Sequence, residues 1–352
     1  MGRDIESFEE RLHEVGKITV LPDYFVDRLV RFNSIEQLAD SVKNKGRESG
    51  GGSIRGISQE EVKGGNAVNV AFALGKLGAS ARVIAIANGL AAETLRSTFR
   101  ELKRIDVRII EGKCGYTVAL EYEEGGRHVN VMLSDTGDLR DFDGSRITQW
   151  DAITDSKIVV VLNWAANSSG NKLCERVFGY AHEHREKTFF DPADLSEVTD
   201  RLPEFQSKIL DNHLADIISL NDNETRFFCK SLCSYTLPQD YSEADLRSAA
   251  KKISDLSGET VDIHTRNFSV SCENGKNCTT VPCHKVEQKI VTGAGDVWDS
   301  ADLVGHLIES EPADRLSFAN AAAGLYVSRV PASPPTFAET LDFRSKFTAA
   351  RL

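Results

Sequence analysis

From residue 157 to 264 the chain alternates short apolar runs with longer segments of helical period. The runs at 157–162, 187–190, 215–219 and 260–264 are continuous, without a polar face. Between them, 171–184, 222–230 and 244–256 read as helices. Strands that are apolar on both faces and joined by helices predict a parallel sheet covered on both sides. The same rhythm appears upstream, with strands at 17–20, 81–87 and 107–110 and a helix over roughly 92–104. The expected class is α/β.

The rhythm breaks in three places. Residues 31–60 are polar and contain Gly50-Gly51-Gly52-Ser53, which reads as an inserted loop. Residues 116–122 and 127–133, joined by Glu123-Glu124-Gly125-Gly126, predict a hairpin that projects from the main sheet. A second β excursion covers 268–272 and 280–285.

Composition excludes several classes. With 41% hydrophobic and 27% charged residues, the chain is that of a water-soluble globular protein. A net charge of −11 and the lack of a basic stripe argue against nucleic-acid or membrane binding. No apolar run is long enough to span a bilayer, and the charged stretch 1–10 lacks the apolar core of a secretion signal. A cytoplasmic location is expected. Seven scattered cysteines predict ordinary thiols, and the Cys272, Cys278, Cys283-His284 spacing fits no common zinc pattern.

Chemistry concentrates in Val291-Thr292-Gly293-Ala294-Gly295-Asp296-Val297-Trp298. Small residues lead into a helix on which Val297, Ala301, Val304 and Ile308 share a face, with Asp299, Asp302 and His306 elsewhere. A helix start presents unpaired N–H groups and partial positive charge, which suits a phosphate. Asp296 beside it can accept a proton from a hydroxyl, or can simply cap the helix.

Other features are polar residues at element ends. Gly64-Gly65-Asn66 opens a helix with Ala67, Val70, Leu74 and Leu77 on one face, and Asn69 lies in its first turns. Asp23 and Asp27 follow the first strand in what reads as a turn. Asn163, Asp191 and Asn221 close later strands, where ligands bind in open α/β sheets. Asn221 and Glu224 are spaced either to support a hydrated magnesium ion or to form a capping box. Ala319-Asn320-Ala321-Ala322-Ala323-Gly324 offers a nearly bare helix surface.

Asp27, Gly64-Gly65 with Asn69, Asn221-x-x-Glu224, Thr292-Gly293-Ala294-Gly295-Asp296 and Ala319-Asn320-Ala321-Ala322 occur in one order. This arrangement resembles the ribokinase-like carbohydrate kinases of the PfkB family, over about residues 17–330, and its longer 31–60 stretch is similar to archaeal-type members. The resemblance implies one ribokinase-like domain over 1–352: a central, mostly parallel sheet with helices on both faces, and a small β lid from about 25–60 and 112–134. It implies transfer of the terminal phosphoryl group of ATP or ADP, with Mg2+, to a hydroxyl of a sugar or sugar derivative. Nucleosides and sugar phosphates are the alternative acceptors within the family. Asp296 is then the base, and the backbone of Gly293, Ala294 and Gly295 the anion hole. Asp27, Gly64, Gly65 and Asn69 meet the acceptor. Asn221, Glu224, Thr292 and Asn320 serve the nucleotide, with Glu224 reaching the metal through water. A homodimer through the lid is expected by the same analogy. Arg127 and His128 on the hairpin could meet a substrate phosphate.

His264-Thr265-Arg266-Asn267-Phe268 departs from the pattern, because family members carry a threonine-and-glycine loop there. A nicotinamide-dependent dehydrogenase fits less well, since Gly-Ala-Gly-Asp lacks the third glycine and lies in the last fifth of the chain. A non-catalytic binding protein on the same scaffold would have little reason to retain Asp296 and both glycines.

Overall fold

The computed structural model describes residues 12, 14–125 and 127–349. The charged stretch 1–10 and the side chains of Arg127 and His128 lie outside the described residues. Among the described residues thirteen strands form two sheets. In chain order they are β1 (Ile18–Leu21), β2 (Phe25–Arg31), β3 (Ser58–Gly64), β4 (Ala81–Ala87), β5 (Ile105–Glu111), β6 (Gly115–Glu124), β7 (Arg127–Asp135), β8 (Ile158–Val161), β9 (Lys187–Phe190), β10 (Ile217–Asn221), β11 (Thr260–His264), β12 (Phe268–Glu273) and β13 (Asn277–Pro282). The helices of ten residues or more are α1 (Ile35–Ser49), α2 (Asn66–Lys76), α3 (Gly89–Thr98), α4 (Gly170–Glu183), α5 (Asp222–Leu232), α6 (Glu243–Ser257), α7 (Ala294–Leu307), α8 (Pro312–Val327) and α9 (Phe337–Ala349).

The large sheet has the order β13-β12-β11-β10-β9-β8-β1-β4-β5. Pairing is parallel from β5 to β11 and antiparallel over β11, β12 and β13. The continuous apolar runs have the predicted cause. Ile18, Val20 and Val160 point into a core shared with α2, α7 and α8, while Leu21, Val159 and Val161 point into a second core under α4, α5 and α6. Strand order reverses between β1 and β8, which opens a crevice at their carboxyl ends.

The small sheet has the order β3-β2-β6-β7. The hairpin predicted at 116–133 is β6–β7, and β2 joins it by parallel pairing, Phe25 opposite Gly115. Asp27 is therefore on a strand, not in a turn. The stretch 31–60 is also not a plain loop. Ile35, Leu38, Ala39 and Val42 recur at helical spacing in α1, Ser34 accepts the N–H of Gln37 at 3.4 Å, and Gly50 ends the helix in the left-handed region.

The helix after the glycine loop also departs from expectation. Val297, Ala301 and Val304 are buried, but so are Asp296, Asp299 and Asp302. Helix α7 lies under α8 and beside α2, so no face reaches water along most of its length. Asp302 is neutralised by Arg315 of α8, whose guanidinium reaches Asp302 and Asp262 at 2.6 Å each and Ser271 at 2.9 Å. Burial opposes their charges, yet Arg315 brings Asp262 well below the usual carboxylate range and the two aspartates push Arg315 up. His306 joins through Asp262 at 2.8 Å. Asp262, Asp302 and His306 lie close enough to share a cation, but Arg315 already fills that role. Gly305 makes room for the arginine, since a Cβ there would collide with its stem.

The cysteine expectation needs one correction. Cys272 and Cys278, opposite each other on β12 and β13, form a disulfide; Cys114, Cys174, Cys229, Cys233 and Cys283 are free thiols. Among the described residues no helix is long and apolar enough to cross a membrane.

Removing Arg315 leaves two buried carboxylates with only His306 as a counter-charge. Arg315→Met is expected to lower unfolding free energy by about 3–5 kcal/mol, read from urea denaturation. A loss below about 1 kcal/mol would mean that the network does not hold α7 against α8.

Candidate active site

The crevice between β1 and β8 gathers one aspartate and the start of α2. Gly65 precedes α2 and has no side chain to cap it. Asp23, just beyond β1, supplies the acceptor. Its Oδ2 accepts the N–H of Asn66 at 2.8 Å and its Oδ1 the N–H of Ala67 at 2.9 Å. Asn163, beyond β8 and in the left-handed region, donates to Asp23 Oδ2 at 3.0 Å. Burial raises the Asp23 pKa, and these three bonds oppose the rise. Gly65 has φ +92, and a Cβ there would sit 3.0 Å from Asp23 and Tyr24.

Asp27 faces the same space from β2. A Cβ at position 64 would collide with its carboxylate, so Gly64 admits Asp27 as Gly65 admits Asp23. Asp27 Oδ1 is buried with no hydrogen-bond partner among the described residues. Burial raises its pKa first and Asp23 adds to this, against a bond from Thr117 and the charge of Lys63. An unpartnered buried acceptor at a crevice is a vacancy for a donor.

Asp296 lies at the floor, in the first turn of α7. Asn66 Nδ2 donates to its Oδ1 at 2.9 Å and Asn69 Nδ2 to its Oδ2 at 3.0 Å. Lys63, at the end of β3, donates to Asn69 Oδ1 at 2.7 Å. Burial pushes the Asp296 carboxyl up to about 7, aided by Asp191 and Asp23 and opposed by Asn69 and Lys63. Burial likewise pulls Lys63 down to about 8, against Asp296 and Asp27. Above Asp296 the loop is open. Gly293 takes φ +82, and a Cβ there would lie 2.8 Å from the Tyr326 hydroxyl, which donates to Thr292 O at 2.9 Å. The Ala294 N–H is spent on Val291 O at 3.0 Å. The N–H groups of Gly295 and Asp296 have no partner among the described residues.

A second group of carboxylates lies behind, at the ends of β9 and β10. Glu224 and Asn221 form a full capping box. The Asn221 N–H and side-chain amide donate to Glu224 at 2.7 and 2.6 Å, and Asn221 Oδ1 accepts the Glu224 N–H at 2.9 Å. Burial, then Asp191, raises the Glu224 carboxyl well above its ordinary value. The same two causes raise Asp299, which takes the Ser219 hydroxyl at 2.6 Å on one oxygen and has no partner on the other. Hard oxygen donors gathered in this way fit a magnesium ion.

The chemistry of this crevice agrees with the comparisons. The pfkB family carbohydrate kinase profile matches residues 35–337. The chain belongs to the pfkB family of carbohydrate kinases. Ribokinase from Thermotoga maritima is 16% identical, with a TM-score of 0.69, over 94% of this chain and 98% of that one. Arabidopsis thaliana ribokinase, complexed with ribose and ATP, is 15% identical with a TM-score of 0.71 over 94% and 98%. Escherichia coli phosphofructokinase-2, in complex with fructose-6-phosphate, is 17% identical with a TM-score of 0.69 over 94% and 98%. At these identities the likeness is one of fold. No curated protein matched the sequence.

Within this PfkB family chain, the structure brings together Asp27, Gly64, Gly65, Asn69, Gly293, Ala294, Gly295 and Asp296. It sets Asn320 apart: its amide donates to Ser269 at 2.9 Å and to Val281 O at 3.3 Å, and accepts from Trp298 at 2.9 Å. Asn320 therefore pins α7 and α8 to the β12–β13 hairpin. Sequence reasoning missed Lys63 and Asn66, and it read Asp23 as a turn residue. It also flagged His264 only as a departure. That half-buried ring lies tilted by 30° against Trp298 with centroids 4.9 Å apart, beside Gly295, and burial lowers its pKa against the pull of Asp191.

The Asp296 carboxyl is expected to titrate near pH 7, followed by carbon-13 NMR of labelled aspartate. Because Lys63 favours its charged form, Lys63→Met should move the midpoint upward. An Asp296 midpoint near 4 in both proteins would refute the burial argument.

Proposed function

We propose that this PfkB family protein transfers the terminal phosphoryl group of ATP or ADP to a hydroxyl of a sugar or sugar derivative. The observation that carries the reading is Asp296, a buried carboxylate with pKa raised to about 7, held by Asn66 and Asn69 directly below two free helix-start N–H groups.

Asp296 takes the proton of the acceptor hydroxyl. The oxygen then forms its bond to the terminal phosphorus as the bridging P–O bond breaks, and the leaving nucleotide keeps that electron pair. The Gly295 and Asp296 N–H groups, at the positive end of α7, meet the oxygens of the moving phosphoryl group. Asp27 accepts an acceptor hydroxyl on its vacant oxygen, and Lys63 and Asn69 hold the base in register. Glu224 and Asp299, beside Asp191, would hold a magnesium ion, which would supply charge neutralisation to the nucleotide phosphates. The small sheet, which carries Asp27 and Lys63, acts as the lid that excludes water. Thr292 and His264 lie on the nucleotide side of the glycine loop.

Two further features support a sugar over a nucleoside. Tyr24 and Phe25 are buried in the cores, so neither offers an exposed ring face to a base. The acceptor side is instead lined by Asp27, Lys63, Asn69 and Asn163, groups suited to hydroxyls. The small sheet exposes Tyr116, Val118, Val131 and Leu133, an apolar face that fits a homodimer through the lid.

A screen should cross ATP and ADP, with magnesium, against pentoses, hexoses, nucleosides and sugar phosphates, reading nucleotide product. Turnover is expected with a free sugar or sugar derivative, rising with pH through about 7 as Asp296 loses its proton. Asp296→Asn should cut it by roughly 10²–10⁴-fold while nucleotide binding persists. Near-unchanged turnover in that variant would remove Asp296 as the base. Turnover confined to nucleosides would overturn the acceptor class.

A further inference from the structure

The opposite end of α7 borders a cavity of about 540 Å³ at the amino-terminal edge of the central sheet. Its lining joins Lys157, Arg185, Lys187, His306 and Glu309 to an apolar wall of Val15, Ile158, Leu307 and Ile308. We propose that this cavity binds a small organic polyanion, a phosphate ester or a polycarboxylate.

Charge makes the first argument. Lys157 immediately precedes β8 and Lys187 opens the neighbouring β9, and the N–H of Lys187 bonds Lys157 O at 3.1 Å. Like charges on adjacent strands repel. Arg185 adds a third cation two residues before Lys187. None of the three makes an ion pair among the described residues, although Glu186 lies close enough to Lys157 to feel its charge. Lys17 on the same edge differs, because Asp155 pairs with it at 2.5 Å. Glu309 is the one carboxylate in the lining, set against three cations and the imidazole of His306. In a chain of net charge −11, this is a concentrated excess of positive charge with no ion-pair partner among the described residues.

The wall makes the second argument. Three carbonyls of the last turn of α7 are already spent and do not repel an anion. Val304 O, Gly305 O and His306 O accept the N–H groups of Ile308, Ser310 and Glu309. Arg185 and Glu309 both hold left-handed backbone, which side chains other than glycine seldom adopt, so the fold fixes the two loops that frame the opening. An apolar wall beside cations favours an organic anion over a hydrated inorganic one, and the volume suits a metabolite-sized molecule. Ten residues of helix separate His306 from Asp296, or ~15 Å along the axis, so this is not the acceptor or nucleotide site.

Calorimetric titrations with citrate and with 2,3-bisphosphoglycerate test the proposal on the full chain. Binding of at least one probe is expected, weakening with added salt. Citrate alone would mark a carboxylate site, and bisphosphoglycerate alone a phosphate site. The triple variant Lys157→Gln, Arg185→Gln, Lys187→Gln changes only exposed side chains, so a native circular dichroism spectrum is expected. It should weaken binding roughly tenfold or more. Lys17→Gln, at the same edge but outside the cavity, should leave binding unchanged, as should Asp296→Asn. Failure of both probes to bind at millimolar concentration would overturn the proposal. So would equal binding by the triple variant and the wild type, which would place the anion at the active site.

Discussion

A carboxylate taken out of water must be met by a counter-charge or by hydrogen bonds, or else give up its charge. Helix α7 carries three such groups, Asp296, Asp299 and Asp302, and the fold treats each differently. Asp302 is neutralised inside the protein by Arg315, which fixes α7 against α8 and β11. Asp299 receives one hydroxyl and keeps an oxygen vacant near Asp191 and Glu224. Asp296 receives only neutral amides from α2, and its proton affinity rises. One helix thus runs from a structural ion pair to a group left open for chemistry. Its placement fixes where α2, α8 and the glycine loop must lie.

The remaining geometry follows from where the sheet reverses order. Asp23 stands at that reversal and caps a helix that begins 43 residues later. The cap brings Asn66 and Asn69 over Asp296, and Gly64 and Gly65 leave room for the two aspartates of the crevice. Most of the crevice, from Lys63 to Asp296, lies within the span that the family profile matches, whereas Asp23 and Asp27 lie outside it.

Much of this was legible in the sequence because it was local. The apolar strands, the glycine turn with Asp296 and the Asn221–Glu224 spacing each reflect rules that act within a few residues. What could not be read was set by distant partners. Nothing near Asp23 reveals that it caps α2, and Lys63 looks like any strand-end lysine until β3 is placed beside α2. Asp299 and Asp302 could not be read as buried, because their counter-groups, Ser219 and Arg315, come from other elements. Helix α1 was missed for the opposite reason. Its signals were local, with Ser34 before it and Gly50 after it, but the glycine run outweighed them. Cys272 and Cys278 pair because the β12–β13 register sets them opposite each other, and a spacing count cannot show register.

Lys63 belongs to the small sheet, whereas Asp296 belongs to the main body, and the link between them passes through a single amide of Asn69. The proton affinity of Asp296 therefore joins a group of the main body to a group of the small sheet. Burial, the largest influence, favours the acid, and the Lys63 ammonium, a smaller one, favours the carboxylate. A change at β3 thus reaches a carboxyl that its side chains do not touch.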